Sequence, residues 1–127
     1  ALARPLGLHQ AAADAARAAR PAGAEILVGG TVWRSEILRF SLGYAVPSRI
    51  FDDCGPVPAA TNAVYLLDDD TSPAAAALAR ADAPLLARVA RPDGAFLVFG
   101  APRQPLSEQQ GGPQSLNCRD RGPQPRS

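Results

Sequence analysis

Two groups of aspartates stand where apolar segments end, and they are the first candidates for chemistry in this chain. Asp52 and Asp53 follow the segment VPSRIF, and an acidic run at residues 68 to 70 follows AVYLL. If these segments are parallel neighbouring strands, both groups lie at the sheet edge where open α/β sheets bind ligands. Carboxylate oxygens suit Mg²⁺ or Mn²⁺, so Asp52, Asp68 and Asp69 are candidate metal ligands. Alternatively, these acids serve only as loop and helix-start residues.

The second candidate is a glycine turn between a short apolar run and a helical pattern, in the stretch EILVGGTVWRSEILRFSL. Backbone N–H groups at a helix start can hold a phosphate, which makes Gly29, Gly30 and Thr31 a candidate phosphate site. The stretch lacks the later glycines of a dinucleotide fingerprint. The chain has no lysine for a P-loop. In the alternative interpretation, the glycines turn the chain and Thr31 caps the helix.

The histidine and the cysteines give little indication of catalytic or metal-binding chemistry. His9 is the only histidine, which excludes a His-based triad and a multi-histidine zinc site. We expect it on the surface of a helix. Cys54 and Cys118 lie far apart in the sequence; free thiols are the favoured state, and a disulfide between them stays open. We assign no catalytic residue and no cofactor, with Mg²⁺ as the alternative.

Helices and strands alternate along the chain that carries these residues. Helices are predicted at residues 9 to 20, 33 to 42 and 73 to 81, and strands at 25 to 29, 46 to 51 and 63 to 67. The segments at 84 to 90 and 95 to 100 flank RPDG, a turn sequence, and read as an antiparallel hairpin. The order predicts an α/β fold with a small mixed sheet, flanking helices and a C-terminal β-hairpin.

The second predicted helix carries its large apolar residues in a regular pattern. Trp33, Ile37 and Phe40 fall at i, i+4 and i+7, which is one face of a helix. We therefore expect these three side chains in the core. Phe51 and Tyr44 are also expected to be mostly core rather than a stacking surface.

Composition limits the domain organisation and the classes of partner. With 127 residues, the chain suits one domain, expected at residues 1 to 101; residues 102 to 127, rich in Pro, Gln and Gly, read as a disordered tail. Thirteen basic and twelve acidic residues give a net charge of +1, which does not favour a nucleic-acid partner. No apolar run reaches the roughly 18 to 20 residues that cross a bilayer.

Several phrases of the sequence resemble one protein family. The stretches AARPAGAEILVGG, WRSEILRFSLGYAVPSRIF, AVYLLDDD and LLARVARPDGAFLVFGAP follow each other between residues 9 and 102. In this order they resemble the soluble C-terminal domain of bacterial membrane glycosyltransferases that use polyprenyl-phosphate sugars, of the dolichyl-phosphate-mannose mannosyltransferase type. The motifs are mostly apolar patterns and turns, and the membrane part of that family is absent from this sequence.

The resemblance implies a non-catalytic accessory domain at the extracytoplasmic face of a bacterial membrane. Its partner would be the membrane-embedded catalytic part of the same parent chain, and the domain would position an acceptor or a partner near it. The catalytic acids of that family lie in the membrane part, so none is carried over here, and Asp68 to Asp70 become loop and cap residues. Two other functions stay open: a small Mg-dependent or phosphate-binding domain using Asp52, Asp68 and Asp69, and a stand-alone protein-interaction module.

Overall fold

The computed structural model describes residues 5 to 30, 32 to 52, 54 to 68 and 70 to 106. It contains three helices and five strands within these ranges. The elements, in chain order, are α1 (Pro5–Ala19), β1 (Glu25–Gly29), α2 (Val32–Leu42), β2 (Ser48–Phe51), β3 (Ala63–Leu67), α3 (Pro73–Arg80), β4 (Leu85–Arg91) and β5 (Gly94–Phe99).

The five strands form one mixed sheet in the order β2-β1-β3-β5-β4. Strand β1 is central to the parallel part, because it pairs in parallel with both β2 and β3. Strand β5 pairs antiparallel with β3 and with β4. The predicted α/β fold with a mixed sheet and a C-terminal hairpin is therefore confirmed, and the hairpin turns at Pro92 and Asp93 within RPDG.

Helices cover both faces of the sheet and bury two apolar clusters. On one face, α1 and α2 pack on alternate residues of the strands, among them Ile26, Val28 and Phe96. The contact side of α1 consists of alanines, which lets the helix backbone lie close to the sheet; these are Ala12, Ala13 and Ala16. On the other face, α3 and the β2–β3 loop cover a cluster that includes Tyr65 and Leu78.

Helix α3 begins as its sequence predicts. The Ser72 hydroxyl accepts a hydrogen bond from the Ala75 backbone N–H at 3.2 Å, and Pro73 occupies the first turn. Such a cap satisfies one of the N–H groups that a helix start leaves without an intrahelical partner. Proline fits this position because its missing N–H is not needed there.

The expected core face of α2, formed by Trp33, Ile37 and Phe40 with Leu38 beside them, is right at Leu38 and wrong at Phe40. Leu38 and Leu42 are buried against α1 and the sheet, whereas Phe40 is 81% exposed and Ile37 is only partly buried. The Trp33 side chain lies outside the described residues. Two apolar stripes run along this helix, and Leu38 and Phe40 point apart because two residues turn a helix by about 200°. The sequence pattern does not say which stripe meets the core.

Two further expectations concern the ends of the domain. His9 is buried, not on the surface: its ring meets the Phe96 ring edge-on, with centroids 5.2 Å apart.

At the other end, most of the expected tail lies outside the described residues. Within the described part, the backbone N–H groups of Arg103 and Gln104 both donate to the Ala81 carbonyl, and Leu106 packs against the α3-side cluster.

Candidate functional site

The carboxyl ends of the three parallel strands lie at one edge of the sheet. After β1 the chain enters α2, which packs on one face, and after β3 it enters α3, which packs on the other. The point between β1 and β3 is therefore a topological switch point. Open α/β sheets bind their ligands in the crevice at such a point.

Of the candidate acidic ligands, the structure describes Asp52 and Asp68, and both follow strands that end at this edge. Gly29 at the end of β1 pairs with Phe51 of β2 and with Leu67 of β3, so Asp52 and Asp68 both follow at the same level. However, β1 lies between their strands, so the condition that these two strands are neighbours is not met. Asp53 and Asp69 lie outside the described residues. Among the residues that the structure describes, no three acidic, histidine or cysteine side chains are grouped to hold a metal ion.

The Asp68 side chain packs against Gly30, one of the three residues of the candidate phosphate site. This side chain is buried, at 2% exposure, and its carboxyl group lies so close to Gly30 that a Cβ there would overlap it. The Asp68 backbone N–H also donates a hydrogen bond to the carbonyl of the preceding glycine, Gly29, at 3.1 Å. Gly30 stands just before α2, where the helix dipole favours a negative charge. The Asp68 carboxyl group thus fills the space beside the residue that precedes this helix. Thr31 lies outside the described residues.

Arg91 lies at the same edge of the sheet, at the end of β4 beside the hairpin turn. Its guanidinium lies over the Phe96 ring at 4.7 Å from the centroid, donates to the Asp68 carbonyl and pairs with Asp93 at 2.9 Å. Its side chain is only 9% exposed. Asp70 lies nearby, with its carboxylate 3.8 Å from the Arg88 guanidinium. The two arginines at this edge are therefore engaged with neighbouring carboxylates, and Arg91 also with the backbone.

Hydrogen bonds and a disulfide at Cys54 hold the β2–β3 loop. The Asp52 carboxylate accepts a hydrogen bond from the Cys54 N–H at 3.0 Å. The Tyr65 hydroxyl donates to the Pro58 carbonyl at 2.6 Å. Burial raises the pKa of Tyr65, and a hydrogen bond with the Ala60 backbone acts in the opposite direction. Cys54 is disulfide-bonded, so the expected free thiol is wrong at this position. Cys118 lies outside the described residues.

The surface that sequence reasoning missed lies on the outer side of α2 and the turn that follows. We call it the aromatic face and define it by Glu36, Arg39, Phe40 and Tyr44. Tyr44 is fully exposed and Phe40 is 81% exposed. A groove of about 530 Å³ runs along these residues and is completed by Gly43, Val46, Pro47 and Ser48. The sequence did indicate an exposed apolar surface, because α2 carries two apolar stripes and only one of them can face the core.

The aromatic face also carries two exposed charged residues. Glu36 and Arg39 are both exposed, and neither makes an ion pair or a side-chain hydrogen bond within the described part of the chain. Exposed aromatic rings together with arginine are typical of protein interfaces, whereas an isolated surface of a monomer usually avoids them. The geometry of this face suits binding.

Comparisons of the chain with protein-family models, with curated proteins and with solved structures find no match. Within the described residues, no helix combines the length and the apolar character needed to cross a bilayer.

Proposed function

We propose that this chain is a non-catalytic accessory domain, outside the cytoplasm, of a bacterial membrane glycosyltransferase that uses polyprenyl-phosphate sugars. It holds a partner or an acceptor near the membrane-embedded catalytic part of the same parent chain. The domain acts by binding through the aromatic face and contributes no group to glycosyl transfer.

The observation that carries the proposal is the aromatic face itself. Phe40 and Tyr44 project from the domain beside a groove, although the two apolar clusters bury most other large apolar side chains. Burying each ring against a partner would remove well over 100 Å² of apolar surface from water, which favours association by roughly 25 cal/mol per Å². At the polar edge of the sheet, by contrast, Asp68 packs against Gly30 and Arg91 donates to the Asp68 carbonyl.

The disulfide at Cys54 supports the proposed location. Disulfide bonds persist in oxidising compartments such as the periplasm and the cell exterior, and they are rare in the reducing cytoplasm. A disulfide-bonded Cys54 therefore agrees with a domain on the extracytoplasmic side of the membrane.

The coding sequence upstream of Ala1 tests the proposal. We expect several membrane-spanning segments there, followed in frame by this domain. In the parent protein, replacing both Phe40 and Tyr44 with alanine should lower glycosyl transfer in isolated membranes while the amount of protein in the membrane is unchanged. A gene that encodes this domain without any membrane helix would refute the proposal.

A second function, a small Mg-dependent or phosphate-binding domain, is favoured by one observation. Asp68 and Asp70 lie at the switch point between β1 and β3, where ligands of α/β proteins bind. Binding there would require Asp68 to leave Gly30. The same place would have to admit solvent, although Asp68 is almost fully buried.

A further inference from the structure

We infer that the partner of the aromatic face is a second copy of this chain, bound through α2 across a two-fold axis that is perpendicular to this helix. The inference rests on the proposed function in that it names the partner of the same surface. Such a contact would give the parent enzyme a defined dimer outside the membrane.

Charge is the first argument for a second copy. Glu36 and Arg39 carry opposite charges, both are exposed, and neither is paired within the described residues. In a two-fold contact the same patch meets itself, so that a residue of one copy faces its complement on the other. Glu36 of one copy then faces Arg39 of the other, and the symmetry forms this ion pair twice.

The spacing along the helix allows both pairs to form around one axis. Arg39 stands three positions after Glu36, which is about 4.5 Å along a helix. When two copies of α2 lie antiparallel with the axis midway between these residues, both pairs lie within one helical turn of it. Phe40 stands four positions after Glu36, so its ring neighbours the Glu36 side chain on the helix surface and would be buried beside this ion pair.

The groove supplies the apolar part of the contact. It is lined by Phe40 and Tyr44 on one side and by Val46 and Pro47 on the other. A second, mostly apolar hollow of about 500 Å³ lies on the other side of Phe40, against Gln10 and Ile37. A ring of the partner copy can enter either hollow, and aromatic anchors seated in pockets dominate the energy of most protein interfaces.

The experiment measures the mass of the 127-residue chain by light scattering over a range of concentrations. We expect twice the monomer mass of 13.2 kDa. Phe40→Ala should weaken the dimer at least tenfold, since anchor residues cost more than about 1.4 kcal/mol when truncated. Leu86→Ala, on the exposed edge strand β4, is the matched control and should leave the mass unchanged. Far-UV circular dichroism checks that each variant is folded.

Charge reversal tests the pairing itself. Glu36→Arg alone and Arg39→Glu alone should each weaken the homodimer by roughly tenfold, because like charges then face each other twice. A mixture of the two variants should restore dimers, since each copy then carries the charges that complement the other.

Three results would overturn the inference. They are a mass of one chain at all concentrations up to about 1 mM, where even weak contacts assemble, a dimer that withstands Phe40→Ala, and a mixture that fails to restore dimers. A monomeric chain whose gene encodes upstream membrane helices would remove the dimer and leave the accessory role. A dimeric chain whose gene encodes no membrane helices would support the dimer and remove the accessory role.

Discussion

The carboxyl group of Asp68 lies against Gly30, so that the space where Gly30 would carry a side chain is already filled. This contact joins the end of β3 to the residue before α2. It explains the second glycine of the turn by packing, with no need for a phosphate. The first glycine has a similar cause: a Cβ at Gly29 would come within 2.7 Å of the Phe51 ring and 2.9 Å of Leu67.

Gly30→Ala should therefore destabilise the protein. The added methyl group overlaps the buried Asp68 carboxyl group, and overpacking of this kind typically costs about 1–3 kcal/mol. Urea denaturation measures the change in the free energy of unfolding. Gly7→Ala is the matched control, because Gly7 is exposed in α1 with no atom near its Cβ position. That change should stabilise by about 0.5–1 kcal/mol. Equal stability of Gly30→Ala and the unaltered protein would contradict the assigned contact.

Arg91→Ala should also destabilise, by about 2–3 kcal/mol. The change removes the cation that covers Phe96 and leaves the Asp68 carbonyl without this donor. Arg88→Ala is the control on the same strand: the Arg88 side chain is 54% exposed and its ion pair with Asp70 is long, at 3.8 Å. An exposed pair contributes less than about 1 kcal/mol. Thermal unfolding of both variants checks the difference, and similar losses would show that Arg91 is not a special anchor.

Much of this architecture could be predicted from the sequence because local signals agree with the fold. The apolar run before Gly29, the cap at Ser72 and the RPDG turn each specify their element without help from distant residues. The hairpin then follows from chain proximity, since a two-residue loop allows only antiparallel pairing.

The strand order and the exposed side of α2 could not be predicted because they depend on contacts between distant elements. The pattern of α2 offered two apolar stripes, and only docking of α1 onto Leu38 and Leu42 selects one. Likewise, β1 enters between β2 and β3, which separates Asp52 from Asp68. The Arg91 contacts could not be predicted for the same reason, because a single arginine at the end of a strand does not indicate that its side chain is buried.

Alkaline pH should unfold the protein in part through Tyr65. Burial raises the pKa of this hydroxyl above its ordinary value of 10.0. The unfolded chain therefore loses the Tyr65 proton at lower pH than the folded chain. The stability from this group is complete below pH 10 and is lost as the pH rises through the folded-state pKa. Tyr65→Phe removes this part of the alkaline loss.

Denaturation of the two proteins between pH 8 and 11 measures the effect of Tyr65. At pH 8, Tyr65→Phe should be about 1 kcal/mol less stable, because the bond to the Pro58 carbonyl is lost. The difference should shrink as the pH rises. Tyr44→Phe is the control, since Tyr44 is fully exposed, and it should follow the unaltered protein at every pH. A constant gap between Tyr65→Phe and the unaltered protein would contradict the titration.

Titration with Mg²⁺ or Mn²⁺ distinguishes the accessory domain from the metal-dependent alternative. We expect no binding heat at millimolar metal, because Asp68 is buried against Gly30 and Asp70 lies beside Arg88. A metal at Asp68 would have to break the packing against Gly30 and desolvate a second carboxylate. The free-energy cost of these two changes exceeds the binding free energy of a weak metal site. Heat that Asp68→Ala abolishes and Asp14→Ala, on the exposed side of α1, retains would establish a metal site and favour the alternative function.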